Sequence, residues 1–127
     1  MTKKKFMVKA IENDEGKTIV TGQIARYLKS TGLNVITQKI AQTGCKGLSD
    51  DICKHRQIMG EALNKFDMDG TTCPYVFEIP ASPHLAAQLA NIPIDIARIM
   101  QATATLESNH DVVVLEGVGG LMVPLTP

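Results

Sequence analysis

The sequence contains no tryptophan and only two tyrosines and three phenylalanines. With so few aromatic side chains, a surface that stacks the bases of single-stranded nucleic acid is not indicated. Basic and acidic residues are equal in number, 13 of each, so the formal net charge is zero. This balance gives no sign of a nucleic-acid-binding surface. No apolar run approaches the ~20 residues of a membrane-spanning helix, so no membrane partner is indicated either.

The three cysteines, Cys45, Cys53 and Cys73, are odd in number and lack Cys-x-x-Cys spacing. That pattern argues against a disulfide framework and a structural zinc site, and it indicates a reducing compartment. We therefore expect a cytoplasmic protein. A length of 127 residues allows one domain at most.

The tetrapeptide Glu15-Gly16-Lys17-Thr18 lies between the apolar residues 6–8 and an amphipathic segment that begins at Ile19. A strand, a tight turn, Gly-Lys-Thr and a helix are typical of a phosphate-binding loop. The helix N-terminus attracts an anion, the lysine adds a positive charge, and the threonine hydroxyl can bind Mg²⁺. Gly-Lys-Thr also occurs in ordinary helices, so the tripeptide alone is a weak signal.

The loop before this lysine is unusually acidic. Ala10 and Ile11 occupy positions where a glycine would let the backbone turn over phosphates, and Glu12-Asn13-Asp14-Glu15 follows. A carboxylate 4 Å from a phosphate charge costs about 1 kcal/mol in water and about 4 kcal/mol at an effective dielectric of 20. We therefore expect weakened nucleotide binding unless Mg²⁺ or the lysines offset the repulsion.

The first third of the chain predicts a right-handed βαβ unit with parallel strands. Residues 5–10 form the first predicted strand and residues 33–37 the second, with Gly32 as the C-cap of the intervening helix. The predicted apolar face of that helix consists of Val20, Ile24, Tyr27 and Leu28.

Lys39 follows the second predicted strand, at the sheet edge where open α/β folds bind ligands. It either faces the same phosphates as Lys17 or is a solvated loop lysine. Ser49 is a predicted N-cap that places Asp50 and Asp51 in the first turn of a helix. Acidic residues there usually serve capping, and metal binding is the alternative.

The helix after Ser49 has Ile52, Met59 and Leu63 as its predicted apolar face, which Arg56 interrupts. Arg56 either extends its charged end to water or is a costly residue in a core position. Residues 64–73 form a predicted loop, and residues 74–77 a short extended segment.

Ser82 followed by Pro83 predicts a helix start, and His84 is more simply a structural histidine than a catalytic one. Residues 94–108 predict another helix. Its inward residues are predicted to be Ile96, Ile99, Met100, Thr103 and Leu106.

Residues 111–116 form the clearest predicted strand, and their continuous apolar run indicates burial on both faces of a parallel sheet. Glu116 at its end, followed by glycines, suits a Mg²⁺ ligand beside phosphates, and a charged strand end with a flexible turn is the alternative. The predicted fold is a P-loop NTPase-like α/β fold, an open parallel sheet with helices on both faces. With only three strands predicted by Pro127, we expect the last strand to lack a neighbour on at least one side and the sheet to be incomplete at its C-terminus.

Taken together, the chain resembles the ATP-dependent dethiobiotin synthetases of biotin biosynthesis over essentially its whole length. Residues 1–127 correspond to the N-terminal part of a single domain of that family. Four blocks carry the resemblance: Glu15-Gly16-Lys17-Thr18, Gln38-Lys39 with Thr43-Gly44, Pro80-Ala81-Ser82-Pro83-His84, and Val114-Leu115-Glu116-Gly117-Val118-Gly119-Gly120 with Val123-Pro124-Leu125.

The resemblance implies an enzyme that uses ATP and Mg²⁺ to join CO₂ to 7,8-diaminononanoate and to close the ring of dethiobiotin. It also implies a homodimer. The residues it assigns to catalysis are Lys17 and Lys39, and those it assigns to the metal are Thr18, Asp51 and Glu116. Asp51 is preferred to Asp50 because an apolar residue follows it.

The residues that the resemblance assigns to ATP are Asn13, Asp14, Glu15, Gly16, Lys17, Thr18, Ile19, Asp51, Glu116, Gly117, Val118 and Gly119. Those that it assigns to the diamine substrate are Thr43, Pro80, Ala81 and Ser82.

Departures from the family pattern leave two other hypotheses open. Ala10, Ile11, Asn13 and Glu15 replace the loop's glycine, two threonines and apolar residue, and Ile40 replaces a proline. The C-terminal half, which in the family supplies the adenine-binding segment and much of a dimer interface, is missing, so we expect weak or absent catalysis by this chain alone. One alternative is a catalytically impaired remnant of the family, and the other is a different P-loop ligase or ATPase.

Overall fold

The protein was analysed as a computed structural model that describes residues 4–8 and 14–117. Helices and strands alternate along these residues and confirm the predicted α/β class. The elements are β1 (Lys4–Val8), α1 (Asp14–Ser30), β2 (Val35–Lys39), β3 (Ala41–Thr43), α2 (Asp50–Met59), α3 (Lys65–Met68), β4 (Tyr75–Phe77), α4 (Pro83–Ala90), α5 (Ile96–Asn109) and β5 (Val112–Glu116).

The larger sheet has the strand order β1-β5-β2, with both pairs parallel. The prediction that the last strand lacks a neighbour is therefore wrong, because β5 lies between the other two. Its apolar run from Val112 to Leu115 is fully buried, and a central position buries both faces of such a strand. β1 and β2 are parallel, as predicted, but each is hydrogen-bonded to β5 and not to the other.

A second, two-stranded sheet pairs β3 with β4 in parallel, and Thr43 lies opposite Phe77. The segment from Ala41 to Thr43 forms a strand that was not predicted from the sequence. The strand is too short to carry a periodic signal of its own, and it depends on a partner more than 30 residues further along the chain. β4 confirms the short extended segment predicted at residues 74–77.

Alternation along β5 assigns the helices to the two faces of the sheet. Val112 and Val114 pack with Ala25 of α1, whereas Val113 packs with Leu106 of α5. Helices therefore cover both faces, as predicted. Because Glu116 continues the set of Val112 and Val114, its side chain lies on the α1 and α2 face.

The helix α1 begins at Asp14, within the residues predicted as a loop, and ends shortly before Gly32 as predicted, but its inward face is narrower than predicted. Ile24 and Leu28 pack against the core, as predicted, together with the fully buried Ala25. Val20 and Tyr27, predicted to be inward, are 44% and 68% exposed. The buried face favours small residues because α2 lies close to α1.

Two further predicted core faces need correction. Leu63 lies beyond the end of α2 and is 40% exposed, whereas Ile52 and Met59 are buried. In α5, Ile99, Thr103 and Leu106 are buried as predicted. Ile96 and Met100 are 39% and 49% exposed, since no described element covers that side of the helix.

The predicted helix caps are confirmed. Ser49 and Ser82 accept hydrogen bonds from the backbone at Ile52 and Leu85, and Gly32 has a φ of +96° after α1. The predicted loop at 64–73 contains a missed single-turn helix, α3. It is stabilised by a capping box between Asn64 and Asp67, in which Asp67 stands where Glu or Gln is usual.

None of the helices between residues 14 and 117 combines the length and apolar character that a membrane crossing requires.

Candidate functional site

The carboxyl ends of β2 and β5 meet the amino ends of α1 and α2 at one edge of the larger sheet. Lys39 ends β2, Glu116 ends β5, and the two are Cα partners in the register. α1 begins at Asp14, so Gly16, Lys17 and Thr18 lie near its N-terminus. The strand–loop–helix layout therefore brings the Gly-Lys-Thr motif to the tips of both strands, as the sequence predicted.

Glu116 is the residue to which the other charged groups converge. The Thr18 hydroxyl donates to its Oε2 at 3.2 Å, and Lys39 Nζ lies 3.3 Å from the same oxygen. Lys17 Nζ donates to the carbonyl oxygen of Gly117 at 3.3 Å. The structure thus brings together two lysines, a hydroxyl and a carboxylate that lie far apart in sequence.

Lys39 forms an ion pair with Asp51 as well as with Glu116. It is only 4% exposed, so the alternative of a solvated loop lysine is wrong. Burial alone would lower the pKa of Lys39, but the charges of Glu116 and Asp51 outweigh burial and raise it. The ammonium therefore stays positive at neutral pH.

Glu116 itself is fully buried. Burial opposes its ionisation, yet hydrogen bonding from His55 and the charge of Lys39 hold its pKa below the ordinary value. The site therefore keeps an ionised carboxylate where water is excluded.

Asp51 reaches the site because its helix starts in a fixed place. Gln42 Oε1 accepts hydrogen bonds from the Ser49 hydroxyl at 2.7 Å and from the Asp51 backbone at 3.2 Å. Asp50 is exposed, and the ion pairs of Lys39 among the described residues are with Asp51 and Glu116. Gln42 was not singled out in the sequence.

His55 is a site residue that sequence reasoning missed. It is fully buried, and its Nε2 lies 2.8 Å from Glu116 Oε1. Its Nδ1 lies 2.6 Å from the hydroxyl of Thr37. The four-residue spacing from Asp51 places both side chains on one face of α2 and was the available signal.

Arg56 does not extend its charged end to water. Its hydrogen bonds compensate for the cost of burying the charge in the core. It is 1% exposed and donates to both carboxylate oxygens of Asp67, at 2.9 Å and 2.8 Å. It also donates to Thr37 Oγ1 at 2.8 Å. Burial opposes ionisation of Asp67, but hydrogen bonds led by Arg56 lower its pKa. Buried Arg56 therefore gives no support to the hypothesis of a catalytically impaired remnant.

The residues predicted to contact the diamine lie around the end of β3. Backbone bonds from Gly44 to Ile79 and from Cys45 to Phe77 fasten this end to the segment that enters α4. Thr43 is half-buried. Its neighbour Gly44 lies close to Pro80, which a Cβ at position 44 would contact. Ala81 is half-buried and Ser82 caps α4, so this set lies beside the end of the second sheet, beyond Lys39 along the chain.

Several predicted ATP-binding residues are only partly accounted for. Asn13, Val118 and Gly119, with the loop positions Ala10 and Ile11, lie outside the described residues. The backbone of Asp14 and Glu15 begins α1, and Ile19 is 38% exposed.

Within residues 14–117 no group of three histidine, cysteine, aspartate or glutamate side chains converges as a metal cluster. Two groups with oxygen atoms that can bind a metal ion are in contact, the Thr18 hydroxyl and the Glu116 carboxylate. Asp51 is linked to them because it forms an ion pair with Lys39, which also pairs with Glu116. Hydroxyl and carboxylate oxygens are hard ligands and fit Mg²⁺ better than a soft metal.

The cysteines lie outside this constellation. Cys45, Cys53 and Cys73 are free thiols, and burial raises the pKa of the Cys73 thiol to about 12. Such a thiol is not a nucleophile at neutral pH.

Comparison with known proteins gives a consistent result. A family model described as "AAA domain" matches residues 4–127. An ATP-dependent dethiobiotin synthetase of Chlorobaculum tepidum is 55% identical over 120 residues, which make up 94% of this chain and 50% of that protein. Two further proteins named ATP-dependent dethiobiotin synthetase, from Haemophilus ducreyi and Haemophilus influenzae, are 52% and 50% identical, over 94% and 95% of this chain. The chain spans 56% and 63% of those two, so it covers little more than half the length of these relatives.

Proposed function

This chain belongs to the AAA-domain family, and we propose that it forms the phosphate-binding part of an ATP-dependent dethiobiotin synthetase. The observation that carries the proposal is the meeting of Lys17, Lys39 and Glu116 at the N-terminus of α1. A helix N-terminus with two lysines favours a polyphosphate, and the buried carboxylate suits its accompanying cation. The names of the similar proteins support the choice of reaction.

The proposed reaction has three steps. One amine of 7,8-diaminononanoate adds to CO₂ and loses a proton, which gives a carbamate. A carbamate oxygen then attacks the γ-phosphorus of ATP, and ADP leaves. The second amine attacks the carbonyl carbon, phosphate leaves with loss of a proton, and the cyclic urea of dethiobiotin is formed.

In this proposal Lys17 and Lys39 supply positive charge to the oxygens between which the phosphoryl group moves. Phosphoryl transfer is catalysed mainly by positioning and by fixed charge. The raised pKa of Lys39 supports this role, because a permanently charged ammonium needs no proton before it acts. Its position at the tip of β2, between the motif and Thr43, suits a group that faces both substrates.

Thr18, Asp51 and Glu116 are the residues that would hold Mg²⁺. When bound, the cation neutralises charge on the β- and γ-phosphates. Thr43 and the segment Pro80–Ser82 would contact the diamine, and the positions of these residues around the end of β3 support a single subsite. We also propose that the protein acts in the cytoplasm, as a homodimer.

Calorimetric titration of the purified chain with Mg·ATP tests the nucleotide site. We expect a micromolar Kd, and Lys17→Ala should raise it by at least about tenfold, equivalent to the loss of one charged contact. Lys29→Ala is the matched control, since Lys29 ends the same helix and pairs with Glu61 at 2.9 Å. Absence of binding by the unaltered, folded chain would contradict the proposal.

The reaction is tested in a version of the protein extended to the length of its relatives. We expect dethiobiotin from the diamine, CO₂ and ATP, and no ATP use with glutamine in place of the diamine. The opposite preference would assign the chain to a different P-loop ligase.

A further inference from the structure

We propose that His55 is a positioning residue for Glu116, and that Thr37 and the Arg56–Asp67 pair hold the histidine in turn. This inference rests on the proposed function, because Glu116 matters only if the site binds Mg·ATP. It concerns how one carboxylate is oriented and adds no new step to the reaction.

The contacts form an unbroken buried line of hydrogen bonds. Asp67 pairs with Arg56, which donates to Thr37 Oγ1 at 2.8 Å. Thr37 Oγ1 lies 2.6 Å from His55 Nδ1, and His55 Nε2 lies 2.8 Å from Glu116 Oε1. The residues in this line are between 0% and 4% exposed. Water therefore does not compete for these contacts.

The contacts of the ring place a proton on its Nε2 nitrogen. A guanidinium can only donate, so the Thr37 oxygen accepts from Arg56, and its own proton is available for His55 Nδ1. An ionised carboxylate can only accept, so His55 Nε2 must donate to Glu116. Every group is then satisfied when Nε2 bears the proton.

The two oxygens of Glu116 thereby take separate roles. Oε1 is held by His55, whereas Oε2 faces Thr18 and Lys39 in the site. The last torsion of a glutamate side chain is broad and has no strong preference. Without His55, only the contacts of Oε2 with Thr18 and Lys39 would limit rotation of the carboxylate, so its orientation for binding a cation would be less fixed.

Loss of such a supporting contact typically lowers metal affinity by about 10- to 100-fold. A purely structural histidine would affect stability without a specific effect on the magnesium-dependent part of nucleotide binding. The comparison of ATP binding with and without magnesium therefore separates the two roles.

The binding test uses the full chain and titrates ATP in the presence of either Mg²⁺ or EDTA. We expect His55→Leu to raise the Kd for Mg·ATP by at least about tenfold and to change the Kd without magnesium by less than about threefold. His55→Gln, whose amide can replace the Nε2 donor, should stay within about threefold of the unaltered chain. Lys54→Leu is the control, because Lys54 is exposed and precedes His55 on the same helix.

Equal Mg·ATP affinity for His55→Leu and the unaltered chain would overturn the inference. If the leucine variant gives no cooperative melt, His55→Asn and His55→Gln decide the question instead. The asparagine side chain is too short to replace Nε2, so rescue by glutamine alone supports the inference, and equal behaviour of the two overturns it.

A spectroscopic test of the His55 contact forms a second arm of the experiment, and it does not depend on nucleotide binding. Long-range ¹H–¹⁵N correlation at neutral pH should show a proton on His55 Nε2, and a bare Nε2 would overturn the inference. If the unaltered chain binds no Mg·ATP, the proposed function fails, and this arm still decides whether His55 orients Glu116.

Discussion

Two clusters of charge each include a residue of β2 and a residue of α2, and they are built in opposite ways. The Arg56 cluster consists of Arg56, Asp67, Thr37 and Thr72. The Lys39 cluster consists of Lys39, Asp51, Glu116, Lys17 and Thr18. They lie two residues apart along the same strand, so their difference is one of side-chain chemistry and not of location.

In the Arg56 cluster a planar guanidinium meets both oxygens of one carboxylate, at 2.9 Å and 2.8 Å. Asp67 also accepts from the Thr72 hydroxyl and from the backbone of Asn64. In the Lys39 cluster a flexible ammonium lies between two carboxylates, and the side chain of Asp51 is 19% exposed. A matched fork is suited to holding structure, whereas a point charge on a long stem can change partners when a ligand arrives.

The substitution Arg56→Ala tests the structural role of the Arg56 cluster. We expect it to have the largest effect. Asp67 would be left as a buried charge without its partner, at a cost of about 3–5 kcal/mol in the free energy of unfolding. Urea denaturation followed by circular dichroism measures the loss. Lys29→Ala breaks an exposed pair and should cost no more than about 1 kcal/mol, so equal losses would contradict a structural role for Arg56.

Lys39→Ala tests the other cluster and should give the complementary result. In the extended protein we expect a fall of about 10²–10³ in the rate of phosphoryl transfer, as for other groups that face developing charge. The melting temperature of the chain should fall less than for Arg56→Ala. Normal phosphoryl transfer by the variant would show that Lys39 has no catalytic role.

The pH dependence of stability tests whether the charge of Asp67 in the Arg56 cluster stabilises the fold. Because the pKa of Asp67 is lowered from 3.8 by its partners in the folded state, its contribution is fully present above the unfolded pKa. The contribution is lost as the pH falls through the folded pKa. The difference in unfolding free energy between the unaltered chain and Asp67→Asn should therefore be constant from pH 7 to about 5 and should shrink below about pH 4. A difference that does not shrink in acid would mean that the Asp67 charge contributes nothing.

The smallest effect is expected at the acidic residues that precede Lys17 in the sequence. Glu15→Val, together with Ala10→Gly, should strengthen ATP binding by at least about tenfold, since a like charge near the phosphates is removed. Calorimetry on the chain measures the change. Unchanged affinity would mean that the acidic loop does not repel the nucleotide.

The parts of this protein that could be predicted from sequence are those with local causes. The capped starts at Ser49 and Ser82 and the strand ending in Glu116 depend on neighbours in the chain, and all three were confirmed. The short strand β3 and the helix α3 were missed, because one depends on a distant partner and the other on a single capping box.

The candidate site divides in the same way. Lys17, Thr18 and Glu116 were predicted from motifs at strand and helix ends, and Lys39 and Asp51 from the family resemblance. The structure places all five together.

By itself, the sequence determined the parallel α/β architecture and the sheet edge at which charged residues collect. Only the tertiary structure decided that β5 lies between β1 and β2, and that His55 and Arg56 are buried with partners 61 and 11 residues away. Local propensity and periodicity depend on adjacent residues, whereas strand order and the pairing of buried charges depend on which distant groups the packed core brings within hydrogen-bonding distance.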